Sequence, residues 1–248
     1  MKKIVYLLYQ PYKFLIFFPW LVLSTFFFAL WAVILVYIAN PKIASMVCGS
    51  TWARLNAYMT PMWVKVSGRG NIAEKQSYVI VSNHQSQYDI FVLYGWLGVD
   101  FKWVMKQELR KVPGIGIGCE KIGHIFIDRS NHESAIASLN AAKEKIVNGT
   151  SVLFFPEGTR SRDVALGPFK KGAFKMAIDL GLPILPITIA GTRNILPSNT
   201  MKLFPGKAHM IIHEPIDISG FNDANLPELI ERTRSMIQSG LGVQSMEK

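Results

Sequence analysis

Acidic side chains are scarce in this chain. Seventeen Asp and Glu stand against 27 Lys and Arg, for a formal net charge of +10 at pH 7. That imbalance suits an anionic partner: nucleic acid, phospholipid headgroups or a phosphorylated cofactor. Charge alone does not choose among them, but no nucleic-acid recognition motif accompanies it, so nucleic acid is not expected. Cysteine is nearly absent. Cys48 and Cys119 form neither a pair motif nor a metal spacing, which points to a reduced compartment and to neither thiol as a nucleophile. The five histidines are scattered and give no coherent ligand set, so no metal is expected. Internal repeats and low-complexity tracts are missing too. What is abundant is apolar: half the residues are hydrophobic and mean hydropathy is +0.22, which favours lipid among the anionic partners.

The apolar excess gathers at the start. Residues 14–40 contain no charge, a run long enough for the roughly 20 residues that cross a hydrocarbon core. Lys2 and Lys3 precede it as in a signal peptide, yet the run is too long for a signal h-region and no small-x-small cleavage site follows. Pro19 interrupts it and predicts a kink. The pattern reads as a first helix over 13–39, an Asn40-Pro41 turn, and a second, less apolar helix over 43–58 stopped by Pro61. Together they predict a membrane-embedded two-helix hairpin, spanning the bilayer or lying in one leaflet. Trp20, Trp31, Trp52, Tyr58 and Trp63 are placed for headgroup depth. The chain accordingly divides into an anchoring hairpin, residues 1–62, and a second domain, residues 63–248.

Beyond the hairpin, short apolar runs alternate with helical spacing. Residues 78–82, 101–105, 125–127, 152–155, 184–190 and 210–212 read as strands. Residues 132–148 and 171–180 read as helices stopped by Gly149 and Gly181, and 226–238 as a polar amphipathic helix. That alternation predicts an α/β fold, a mostly parallel sheet flanked by helices.

Four stretches carry chemistry. In Ser82-Asn83-His84-Gln85-Ser86-Gln87-Tyr88-Asp89 polar residues follow a strand, where open α/β sheets bind ligands. If a helix starts near Ser86, Asp89 lies one turn in and its carboxylate can steady the His84 imidazole as a general base. His-x4-Asp alone also fits a structural pair. Ser86 is an alternative nucleophile, implying a lipid hydrolase, although it lacks a Gly-x-Ser-x-Gly elbow. The second stretch is Phe154-Phe155-Pro156-Glu157-Gly158-Thr159-Arg160-Ser161. Its turn offers backbone amides to an anion or oxyanion, and Arg160 offers a planar fork to phosphate, with Arg162, Lys170 and Lys171 nearby. A tight turn with a solvated basic face is the plainer reading. The third, Gly123–Arg129, places Arg129 past a strand, to hold an anion or to pair with Asp128 or Glu133. The fourth, residues 182–192, is an apolar strand whose prolines and Gly191 can wall an acyl pocket.

In this order the four stretches resemble the glycerolipid acyltransferase family, in particular its 1-acyl-glycerol-3-phosphate acyltransferases of bacterial type. The likeness covers roughly residues 60–215. His-x4-Asp followed by Phe-Pro-Glu-Gly-Thr-Arg-Ser is its specific part, and His124, between Gly123 and Ile125, is a slight departure. The resemblance implies His84 as general base and Asp89 as its orienting partner. It implies Glu157, Gly158, Thr159 and Arg160 at the glycerol phosphate, Lys106 as a second phosphate ligand and Arg129 as an accessory. It also implies transfer from acyl-CoA or acyl-carrier protein to the 2-hydroxyl of lysophosphatidic acid, giving phosphatidic acid. No covalent acyl-enzyme and no cofactor beyond the co-substrate are implied. The expected setting is the bacterial inner membrane, with the site facing the cytoplasm. The competing expectations are an acyltransferase for another lysolipid or for glycerol 3-phosphate, and a non-catalytic membrane lipid-binding protein.

Overall fold

The computed structural model describes residues 7, 9–128, 130–146, 148–161 and 165–243. At its centre lies a seven-stranded sheet: β1 (Met62–Ser67), β2 (Val79–Ser82), β3 (Phe101–Lys106), β4 (Ile125–Ile127), β5 (Ser151–Phe154), β6 (Ile184–Ala190) and β7 (Gly206–Ile212), in the order β1-β7-β6-β2-β5-β3-β4. Neighbours are parallel except β6 and β7. The predicted α/β class and mostly parallel sheet are therefore observed. Strands β2, β5 and β6 are buried throughout, as their mostly apolar runs require.

Alternation along the strands feeds two cores. Ile80, Leu153 and Leu185 pack on one face of the sheet. Val79, Val81, Val152 and Phe154 pack on the other. The first face is covered by helix α1 (Phe18–Ile38), helix α2 (Ser50–Met59) and helix α3 (Tyr88–Trp96). Beside it, helix α4 (Ile115–Lys121) packs against α1. The second face is covered by helix α5 (His132–Ala142), helix α6 (Gly172–Leu180) and helix α7 (Leu226–Val243). Gly181, at φ 63°, ends α6 in the left-handed conformation that glycine allows. Helix α5 is shorter than expected. The chain tightens into a 3-10 turn over Lys143–Lys145, which brings Ile146 into the core.

One helical stretch, Tyr9–Ile38, is long and apolar enough to cross a membrane by length and composition, and little of it is buried. Phe14, Leu15, Phe26, Phe27, Leu30 and Ile38 are exposed on it. Its irregularity falls where Pro19 predicts one. Proline has no N–H for the Leu15 carbonyl, and the preceding turn, Lys13–Phe17, widens to π geometry. Asn40 caps the next turn by accepting from the Ile43 amide. Residues 41–59 then run back along α1. Trp52 Nε1 donates to Thr25 Oγ1 at 3.1 Å, and Ser24 and Asn56 hydrogen-bond to each other. Trp52, expected at headgroup depth, is held by these contacts within the protein, between the helices and edge-on to Phe91. Tyr58 and Trp63 are exposed.

Candidate active site

Strands β2, β3, β4, β5 and β6 all run the same way, so the loops leaving their carboxyl ends meet along one edge of the sheet. His84 follows β2, Lys106 ends β3, Glu157–Ser161 follows β5 and Thr192 follows β6. Residues His84, Lys106, Glu157, Gly158, Thr159 and Arg160 line one cavity of about 1050 Å³. The sequence separates these groups by up to 76 positions; the parallel topology brings them together.

The His84–Asp89 pair is built by the local fold. Asp89 lies in the first turn of α3, where a helix N-terminus favours an anion. Its carboxylate is fully buried. Oδ2 accepts from His84 Nδ1 at 2.8 Å and from the amides of Gln85 and Ser86 at 2.6 and 2.9 Å. Oδ1 accepts from Thr192 Oγ1 at 2.5 Å. An ionised carboxylate only accepts, so Nδ1 carries the proton and Nε2 is left as the basic nitrogen. His84 also stacks on Phe155, ring centroids 3.9 Å apart and 10° from parallel, which fixes the imidazole plane.

The turn after β5 contributes in two ways. Glu157 lines the cavity, yet both its oxygens serve the protein: Oε1 accepts from the His84 amide at 3.2 Å, and Oε2 from Ser161 Oγ at 2.5 Å and Gly167 N at 2.9 Å. The Ser161 amide returns a bond to the His84 carbonyl at 2.7 Å. Two of the turn's amides expected to be free for an anion are therefore spent, because Gly158 N also donates to Phe155 O. Those of Thr159 and Arg160 have no partner among the described residues. Gly158 adopts φ 75°, and a Cβ there would meet the Lys170 ammonium at 2.8 Å. Lys106 and Arg160 form no ion pair or side-chain hydrogen bond among the described residues. Among the described residues, then, no carboxylate neutralises these two cations at the cavity. Arg129 and Arg162 lie outside the described residues.

Away from the mouth the lining turns apolar, through Phe28, Ala29, Ala32, Ile90, Trp103 and Ile122. Two polar groups on this wall are satisfied internally. Buried His124 accepts from the Trp103 amide on Nδ1 at 3.3 Å and pairs through Nε2 with Tyr94 Oη at 2.8 Å. Burial, with Lys102 nearby, holds the His124 imidazole down to about 3, so it is neutral near pH 7. Cys48 and Cys119 also line the cavity. Burial pushes the Cys119 thiol up to about 12, leaving no thiolate for nucleophilic work. Ser86 does not line it. Its side chain is buried and donates to Leu196 O at 2.7 Å, which removes the geometry a serine hydrolase needs.

Sequence reading missed the loop 196–204. Ser198 Oγ reaches Gln85 O at 3.0 Å and Ser161 O at 3.4 Å, and Asn199 lines the cavity at φ 58°. The only sequence sign was a run of turn formers, Pro197-Ser-Asn199.

The Acyltransferase family profile matches residues 63–190, more than half of the chain. The chain is 39% identical over 168 residues to the chloroplastic 1-acyl-sn-glycerol-3-phosphate acyltransferase BAT2 of Brassica napus, covering 66% of this chain and 48% of that one. It is 38% identical over 168 residues to a chloroplastic relative of the same name from Arabidopsis thaliana, covering 66% and 46%. It therefore spans about half the length of these curated relatives. The crystal structure of the 1-acyl-sn-glycerophosphate (LPA) acyltransferase PlsC from Thermotoga maritima superposes with a TM-score of 0.81 at 30% identity, over 99% of this chain and 98% of that one. Sequence and fold agree, and the chain belongs to the acyltransferase family.

Proposed function

We propose that the chain transfers an acyl group from a thioester, acyl-CoA or acyl-carrier protein, to the 2-hydroxyl of 1-acyl-glycerol 3-phosphate, forming phosphatidic acid. The observation that carries this reading is the buried His84–Asp89 pair opening onto a cavity with a cationic mouth and an apolar interior. The names of the relatives favour lysophosphatidic acid as acceptor.

In this mechanism His84 Nε2 takes the proton of the acceptor hydroxyl as its oxygen attacks the thioester carbonyl. Asp89 holds the tautomer and stabilises the imidazolium that forms. The amides of Thr159 and Arg160 are the candidate oxyanion donors, each worth about 3–4 kcal/mol in comparable sites. Collapse of the tetrahedral intermediate expels the thiolate, which the imidazolium protonates. Arg160 and Lys106 bind the phosphate and so orient the hydroxyl. Arg129 keeps the accessory role that the resemblance implies. Glu157 positions His84 instead of touching phosphate, since like charges repel and its oxygens are already used. The acyl chain lies in the apolar interior between the N-terminal helices and the sheet. No step requires a metal or a further cofactor.

The exposed apolar face of Tyr9–Ile38 and the net positive charge fit docking on an anionic bilayer, where acceptor and product both reside. A cytosolic thioester donor would put the site on the cytoplasmic side of a bacterial inner membrane. Residues 1–62 then act as anchor and residues 63–248 as the catalytic unit. The test is detergent-purified protein given labelled acyl-CoA and a panel of lysolipids. Acylation of lysophosphatidic acid, abolished by His84→Ala, is expected. Wild-type turnover in His84→Ala would remove the base assignment, and selective acylation of another acceptor would replace the substrate.

A further inference from the structure

Lys13 is out of place. It sits inside the apolar N-terminal helix, only 1% exposed, where an aliphatic residue would dock the helix at lower cost. Its ammonium donates to the Met201 carbonyl at 2.8 Å and lies 4.2 Å from the Phe14 ring centroid. Met201 is the exposed apex of the 196–204 loop. That loop is fastened to the catalytic elements at two points: Ser86 Oγ donates to Leu196 O, and Ser198 Oγ donates to the carbonyls of Gln85 and Ser161. One strap therefore joins the loop carrying His84, the loop carrying Arg160, and the helix with the exposed apolar face.

We infer that Lys13 is a positioning residue that couples docking of the N-terminal helix to the geometry of the catalytic loops through residues 196–204. The argument rests on the acyl-transfer reading above. Tyr12 supplies an internal comparison. Its hydroxyl donates to the Met59 carbonyl at 2.6 Å, so its hydrogen bond pins the same helix to α2 and not to the strap. A residue that merely secures the helix and a residue that sets the strap then differ in effect.

Full-length Lys13→Met, Lys13→Arg and Tyr12→Phe proteins are compared by acceptor-dependent kinetics and by amide exchange in residues 196–204. Lys13→Met is expected to lower kcat roughly tenfold, the size of effect that slight misplacement of catalytic groups produces. It is also expected to speed exchange at the Leu203 and Phe204 amides. Lys13→Arg should restore most of both, and Tyr12→Phe should leave both near wild type. Should Lys13→Met fail to fold, Ser198→Ala cuts the strap at its other end and should give the same pair of changes. Unchanged kcat and exchange in either strap variant, or equal effects from Tyr12→Phe, would overturn the inference. A wild type that acylates no lysophosphatidic acid would sink the functional reading instead, while the exchange result would still judge the strap.

Discussion

Glu157→Gln separates two roles for one carboxylate. Glu157 accepts from three donors: the backbone amides of His84 and Gly167, and the Ser161 hydroxyl. Glutamine keeps one acceptor oxygen and puts a donor-only carboxamide NH2 at the other position. Ser161 can rotate its hydroxyl to accept from that NH2, but a backbone N–H cannot. With the NH2 at the first position the His84 amide loses its partner; with it at the second the Gly167 amide does. Either orientation leaves one amide opposed by another donor, at about 1–3 kcal/mol. In the first orientation the amide at risk is that of His84, whose ring meets the acceptor hydroxyl in the proposed mechanism; in the second the lost Gly167 bond loosens the same carboxylate that holds His84, so part of the cost appears in the transition state. A fall in kcat of roughly 2- to 150-fold, with acceptor KM little changed, is expected if half or more of the cost does so. If Glu157 instead faced the acceptor's phosphate, removing its charge would lower KM and spare kcat. Initial rates over a range of lysophosphatidic acid concentrations, with a thermal melt to confirm folding, decide between them. An unchanged kcat with a shifted KM would falsify the positioning role.

Other substitutions probe the remaining contacts. Asp89→Asn leaves volume intact but offers His84 Nδ1 a poorer partner, so kcat should fall by about 10²–10⁴, the usual worth of general-base catalysis, with no matching rise in KM. Arg160→Ala and Lys106→Ala should each mainly raise acceptor KM, and Arg160→Lys should restore it poorly because an ammonium lacks the planar fork. Gly158→Ala forces an L-residue to φ 75° against the Lys170 ammonium and should cost about 1 kcal/mol or more of stability, read by thermal unfolding. His124 gives a pH signature. Its folded pKa, about 3, lies below the unfolded value near 6.5, so the unfolded state binds more protons between them. Stability contributed by the neutral ring is present above about pH 6.5 and lost as pH falls toward 3, at about 1.4 kcal/mol per unit. Replacing His124 by Gln should flatten that acid slope in denaturant titrations, and an unchanged slope would contradict the assignment.

The fold was legible where one chemical signal dominated. Uncharged residues 14–40 announced a long apolar helix, and the mostly apolar runs of β2, β5 and β6 announced a buried sheet. Strand β1 escaped notice because Met62, Val64 and Val66 alternate with Trp63 and Lys65 at the sheet edge, beside a Pro61 that reads as a stop. The candidate site was legible in part as residue types: His84 and Arg160 follow strands and Asp89 lies five residues beyond His84, whereas Lys106 came only from the family resemblance. Their division of labour was not. That Glu157 faces inward to three donors, that Thr192 completes the Asp89 shell and that Ser198 bridges the loops of His84 and Arg160 depend on pairings across 4 to 113 positions, most of them long-range. No periodicity encodes such pairings.

The same geometry explains why the basic groups are where they are. A phosphate site gains most from cations that have no protein counter-charge. Among the described residues, the two carboxylates bonded to His84, those of Asp89 and Glu157, form no ion pair with Lys106 or Arg160. Asp89 is closed off in its shell of four donors, and Glu157 is locked between loops. The two acids thus organise the histidine without neutralising the cations at the cavity mouth. The same cavity has an apolar lining, supplied in part by the N-terminal helices. In the proposed mechanism the acceptor's anionic head meets the cations while its hydroxyl meets His84. On that reading, specificity for the acceptor comes from the distance between phosphate and alcohol. Moving the charge farther along the acceptor should reduce kcat even where binding survives, and steady-state rates with headgroup-extended lysolipids test that directly.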